Sequence, residues 1–169
     1  MKSKYVYMVI CVILCAVAFA AITVMVTRAD EAVSDTDAEV IAQILYHECR
    51  SLPKLEQSAV VWVILNRVDS ELAYFPDTVH DVCTQKIGSM PMFAYREDAP
   101  VEEDLYLLAV DVLSRWQREK AGEADVGRTL PSDYLYFWGD GRHNYFRKEY
   151  QGKVYWDWSW ANPYEEVQP

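Results

Sequence analysis

Residues 55–68 read Leu55-Glu56-Gln57-Ser58-Ala59-Val60-Val61-Trp62-Val63-Ile64-Leu65-Asn66-Arg67-Val68. Apolar side chains cover nearly the whole circumference until Asn66 and Arg67 arrive. A helix that is apolar all round is a buried, central one. Val60 to Val63 alone would suit a strand, but the length of the run favours a helix. The rest of the chain is therefore expected to wrap around this segment.

Upstream, Thr36-Asp37-Ala38-Glu39 has the form of a capping box, with Thr36 as N-cap. Val40, Ile41, Ile44 and Leu45 follow at helical spacing. Four residues on from Ile44 stands Glu48, which places its carboxyl on the core-facing side. Arg50-Ser51-Leu52-Pro53 closes the helix, because the residue before a proline resists helical geometry. A carboxyl on an apolar face loses solvation of its charged form, which raises its pKa. That is the state a general acid needs near neutral pH. The same position also suits a structural glutamate paired with Arg50 or Arg67, since ion-pair networks perturb carboxyls too.

Downstream, Phe75-Pro76-Asp77-Thr78 reads as a loop leading to a short helix over Val79 to Val82. Gln85 to Ala99 shows no period and reads as a long loop, a length often reserved for function. Pro100 opens a further helix, with Glu102, Glu103 and Asp104 complementing its dipole. Leu105, Leu108, Ala109, Val112, Leu113 and Trp116 form its core stripe, and Gly122 is its stop. Tyr134 to Trp138 reads as a strand, Gly139-Asp140-Gly141 as a turn, and His143 to Phe146 and Val154 to Trp156 as further strands. Twelve of the 23 aromatics lie between Tyr134 and Tyr164. They serve either as core and cross-strand pairs or as faces for sugar rings. The fold class is α+β, with helices first and a small antiparallel sheet after, over residues 37–169.

The N-terminal part differs in kind. Tyr5 to Val26 carries no charge, and a helix of that length spans roughly 30 Å, the thickness of a bilayer core. Lys2 and Lys4 precede it, while Asp30 and Glu31 follow soon after Arg28. The expectation is a signal-anchor over residues 1–28, a short linker over 29–36, and a single-pass protein with its domain outside the membrane. Ala18-Phe19-Ala20 leaves a secreted, cleaved form as the alternative. Lys2, Lys4 and Arg28 account for three of the 16 basic residues. The remaining 13 face 26 acids, a net charge of -13 over residues 29–169. Such a domain is no nucleic-acid binder.

The same residues open rival chemistries. His47-Glu48 opens like a zinc-protease helix, but the second histidine that motif needs falls on Ser51, so no metal set is found. Cys49 or Cys83 with His143 would make a peptidase dyad, although the carboxylate beside Cys49 disfavours its thiolate. Cys49 and Cys83 lie on the exported side, where they form either a bridge or two buried thiols.

The run from Ile44 to Pro53 resembles the opening motif of SleB/CwlJ-type cell wall hydrolases, approximately Y-A-E-A-R-G-E-P. It continues without a gap into that family's G-Q-x-A-V-A-x-V-x-L-N-R-V, here Glu56 to Val68. Tyr46, Glu48, Arg50, Pro53, Gln57, Ala59, Val60, Leu65, Asn66, Arg67 and Val68 match in one register. Phe75-Pro76, Gln85, Phe93 and His143 to Phe146 resemble later family elements. The resemblance implies a lysozyme-like, lytic-transglycosylase-like domain acting on peptidoglycan, without a cofactor. Its catalytic glutamate falls on Glu48, one carboxyl serving as acid and then as base. Tyr46, Arg50, Gln57, Asn66, Gln85, Phe93 and His143 become candidate substrate contacts, with Tyr136 from the aromatic segment. Ser51 and Leu52 replace the family's Gly and second Glu, and His47 replaces its small Ala. These departures leave a catalytically impaired peptidoglycan-binding or scaffold protein as the alternative function.

Overall fold

The computed structural model describes residues 34–165. The expected anchor, Tyr5 to Val26, lies outside them. No helix among the described residues is long and apolar enough to cross a membrane.

Four helices carry the core. Helix α1, Asp35–Glu48, starts one residue before Thr36. Its N-cap is Ser34, whose hydroxyl accepts the Asp37 N–H at 3.4 Å. Asp35 and Thr36, expected in the linker, are therefore helical, and the Thr36 capping box does not form. A serine is as good a cap as threonine, and here it lengthens the helix by two residues, about half a turn. Helix α2, Lys54–Val68, is buried at every residue from Glu56 to Arg67, the central helix that its apolar circumference requires. Helix α3, Val79–Thr84, is capped by Thr78, whose hydroxyl accepts the Asp81 N–H at 3.2 Å. Helix α4, Glu103–Lys120, begins after Glu102, so Pro100 precedes the helix rather than opening it. The chain leaves α4 through Gly122 at φ 93°, a conformation only glycine adopts cheaply. Leu105, Leu108, Ala109, Val112 and Leu113 bury the inner face of α4, which packs against α1 and α2.

The stretch expected to be a plain loop, Gln85 to Ala99, contains a minimal hairpin. Its strands are β1, Lys86–Ile87, and β2, Met90–Pro91, paired antiparallel around Gly88 at φ 63°. Two residues per strand carry no readable alternation, which hid the hairpin from pattern reading.

A second antiparallel pair follows α4. Strand β3, Tyr136–Gly139, pairs with β4, Asn144–Arg147, with Phe137 opposite Phe146 and Trp138 opposite Tyr145. The strand expected at Val154 to Trp156 is reduced to one bridge, Arg147 to Tyr155, and one bond from the Trp156 N–H to the Phe146 carbonyl at 2.9 Å. Side-chain packing takes over there. Trp156 meets Tyr134 and Trp160 edge-on, and Trp158 meets Phe146 edge-on.

The few polar side chains of α2 fasten this aromatic segment to the core. Asn66 donates to the carbonyls of Pro131 (2.8 Å) and Tyr134 (2.9 Å) and accepts from Arg128. Arg67 donates from Nε to the Leu135 carbonyl at 2.8 Å. Ser58 meets the Thr129 hydroxyl at 2.9 Å. Burial without such partners would cost free energy at each group.

Candidate active site

The C-terminal end of α1 and the turn between β3 and β4 face one another across an open cleft of about 370 Å³. One wall is residues 46–52. The other is Gly139, Gly141, His143 and Asn144. The first wall exists because α1 stops at Glu48 and Pro53 restarts the chain as α2. The second exists because β3 must reverse at Asp140. Its Oδ1 accepts the N–H groups of Arg142 (2.8 Å) and His143 (2.9 Å), and its Oδ2 accepts the Tyr145 hydroxyl at 3.0 Å. Those bonds hold the Asp140 carboxyl below the usual range.

Glu48 is half-buried in the first wall of this cleft. Its Oε1 accepts the Ala94 N–H at 2.6 Å, so the long loop after α3 fixes the rotamer of the carboxyl. Among the described residues, neither Arg50 nor Arg67 forms an ion pair with it. The structural-glutamate alternative therefore lacks the partners it needed. Arg50 is exposed and stacks its guanidinium on Tyr46, 4.7 Å from the ring centroid.

Tyr46, Glu48, Arg50 and His143 thus share one cleft. The other expected substrate contacts do not line it. The buried Gln57 amide donates to the carbonyls of Cys49 (3.2 Å) and Arg50 (3.0 Å), bracing the end of α1. Asn66 is the fastener described above. Phe93 is buried, with the Arg67 guanidinium 4.5 Å over its ring. Gln85 donates to the Tyr74 carbonyl at 2.5 Å. Tyr136 touches the Tyr74 hydroxyl and the Arg67 guanidinium, and burial first, then that hydroxyl, pushes its pKa up to about 12. Burial likewise pushes Arg67 down to about 10.

Cys49 and Cys83 are free, buried thiols, so the bridge does not form. Burial, and then Glu48 and Glu56, drive the Cys49 thiol far above its usual range, and burial does the same to Cys83. Neither supplies the thiolate that a peptidase dyad needs. No group of three or more His, Cys, Asp or Glu side chains among the described residues is placed to hold a metal.

A family model described as Cell Wall Hydrolase matches residues 52–163, well over half of the chain. The chain belongs to the cell wall hydrolase family. Searches of curated proteins and of solved structures return no match. The match takes in one wall of the cleft, α2 and the aromatic segment, and Glu48 lies just ahead of it. Family membership makes peptidoglycan hydrolysis the general activity.

Sequence reading missed one residue that braces the cleft of this cell wall hydrolase, Glu56. Its Oε1 lies 2.9 Å from His143 Nδ1, and its Oε2 accepts the Asn144 N–H at 2.8 Å. The signal was present: an acid near the start of an otherwise apolar helix, where the motif has glycine.

Gln57→Leu keeps the bulk of the side chain but leaves two carbonyls at the end of α1 without their donor. A stability loss of about 1–3 kcal/mol is expected in denaturant unfolding. An unchanged midpoint would show that solvent replaces the amide.

Proposed function

We propose that this chain cleaves peptidoglycan glycan strands between N-acetylmuramic acid and N-acetylglucosamine, with Glu48 as the acid. The observation that carries the proposal is Glu48 in the cleft, fixed by a backbone N–H and, among the described residues, unpaired with any cation. Its proton goes to the bridging oxygen as the glycosidic bond breaks. The carboxylate left behind then acts as base, toward the muramic 6-hydroxyl in a lytic transglycosylase or toward water in a muramidase. One carboxyl serving twice departs from two-carboxylate glycosidases. It fits a lysozyme-like, lytic-transglycosylase-like domain and a cleft with no second acid beside Glu48 on its helix. The test is digestion of purified peptidoglycan by the full-length chain and by Glu48→Gln. Glycan binding without product in the unaltered chain would make it a binding or scaffold protein instead.

The uncharged stretch Tyr5 to Val26 supports a single-pass anchor that holds the domain outside the membrane. After alkaline carbonate washing, the protein is expected to remain in the membrane fraction with its N-terminus intact. A mature form starting after Ala20 would show secretion.

A further inference from the structure

The cleft is charged against the trend of the domain. Acids outnumber bases two to one over residues 29–169, and Arg115, Arg118, Lys120, Arg128 and Lys148 each take a carboxylate. Arg50 takes none among the described residues, although it lines the cleft two positions from Glu48. It is exposed, and its guanidinium lies 4.7 Å over the Tyr46 ring. A guanidinium stacked on a ring keeps its N–H fork for a carboxylate, and it has already given up part of the freedom that binding would cost. In so acidic a domain, a positioned arginine without an acid is one whose anion comes from outside.

The residues that depart from the family motif point the same way. His47 stands where the motif has alanine and Leu52 where it has a second glutamate, and both line the cleft. The first adds a ring N–H donor beside Glu48. The second removes a carboxylate from the same wall. On the facing wall, Glu56 stands where the motif has glycine and holds the His143 ring through Nδ1 at 2.9 Å. The hydrogen bond and charge of Glu56 raise the His143 pKa, with Asp140 adding to the effect and Arg142 opposing it. That favours an imidazolium in a side chain 62 % exposed. Of the described residues lining the cleft, Glu48 is the one acid.

We infer that Arg50, with His47 beside it, binds a carboxylate of the muramic residue or of the peptide that residue carries, so that this enzyme prefers glycan with free carboxylates over the same glycan in neutral form. The inference rests on the glycan-cleavage reading and names the substrate feature that the cleft selects. The lactyl group of muramic acid hangs from the same sugar whose C1 bond is cut. Its carboxyl is free where no peptide is attached. Where one is attached, that carboxyl is tied up as an amide and the free carboxylates are the peptide's. A group that reads either has to stand near the catalytic acid, and His47 and Arg50 flank Glu48 in one wall. The net charge of the domain works in the opposite sense, since it repels an anionic polymer. Removing the carboxylates would by itself favour binding, so a preference for the anionic glycan requires a local cation.

The experiment gives the full-length chain four substrates: peptide-bearing peptidoglycan, glycan stripped of peptide by an amidase, and each of these with its carboxylates converted to methylamides. Product release gives kcat/KM. The unaltered chain is expected to cleave an anionic glycan about 10- to 100-fold faster than its amidated form, the worth of a charge-assisted hydrogen bond. A difference within the stripped pair assigns the lactyl carboxylate, and one within the peptide-bearing pair assigns the peptide. Arg50→Gln is expected to abolish the difference, Arg50→Lys to keep part of it and His47→Ala to reduce it. Were Arg50 only a brace for Tyr46, its loss would slow both members of a pair alike and leave their ratio standing. Equal rates within both pairs for the unaltered chain, or an undiminished ratio in Arg50→Gln, overturn the inference while leaving cleavage by Glu48 in place. Undiminished cleavage by Glu48→Gln, or no product from any of the four substrates, overturns the cleavage reading instead. Equilibrium binding of Glu48→Gln to the same four glycans then decides the carboxylate preference without turnover.

Discussion

Glu48→Gln is expected to lower glycan cleavage by about 10²- to 10⁴-fold, the usual worth of a positioned general acid. The substitution is chosen for what it preserves. The glutamine carbonyl occupies the place of Oε1 and still accepts the Ala94 N–H that the carboxyl accepts at 2.6 Å. Shape and rotamer survive, and among the described residues Glu48 has no ion-pair partner that would be left alone. What disappears is the transferable proton. Muropeptide release from purified peptidoglycan reads the rate, and thermal unfolding of the two proteins is expected to coincide. A Glu48→Gln protein that digests the wall as the unaltered chain does would remove Glu48 from the chemistry.

Trp62→Ala is expected to cost about 3–5 kcal/mol. Trp62 is fully buried at the middle of α2, and the Arg128 guanidinium lies 4.0 Å over its ring. Truncation opens a cavity at the centre of the domain and strips the cation of its aromatic face. Marginal domains hold only about 5–15 kcal/mol in total, so a substantial share of the stability is at stake. Denaturant unfolding measures it. Trp62→Phe is expected to lose much less, because the ring face is kept and a buried indole N–H with no acceptor is removed. Equal losses in the two variants would show that the indole, rather than the cavity, carries the effect.

The helical half of the fold was legible because its signals are local. Val60 to Leu65 announce a buried helix whatever surrounds them, and the short helix after Thr78 stands where the Phe75-Pro76 loop ends. The family motif was legible for the same reason, being one uninterrupted run from Tyr46 to Val68. Side-chain duty was less legible. Gln57 and Asn66 match the motif, yet both are turned inward to backbone carbonyls. A polar residue in a fixed motif position does not reveal whether it meets substrate or the protein's own backbone.

The aromatic segment shows the same limit from the other side. Trp156, Trp158 and Trp160 favour strand by composition, but their rings find edge-on partners that a continuing ladder would have denied them. Cys49 and Cys83 were compatible with a bridge in spacing and compartment, and remain separate buried thiols.

The sequence alone determined that α2 is the core, that α1 ends in an acid on its inner side, and that the chain carries a cell wall hydrolase motif. These follow from periodicity and contiguous residues. Only the tertiary structure decided what stands opposite Glu48. Ala94 and His143 come from a loop and a hairpin turn 46 and 95 positions further on. Glu56 reaches His143 across 87 residues of chain. Such meetings depend on how α4 and the aromatic segment pack around α2, and no local pattern encodes a distance between residues that far apart.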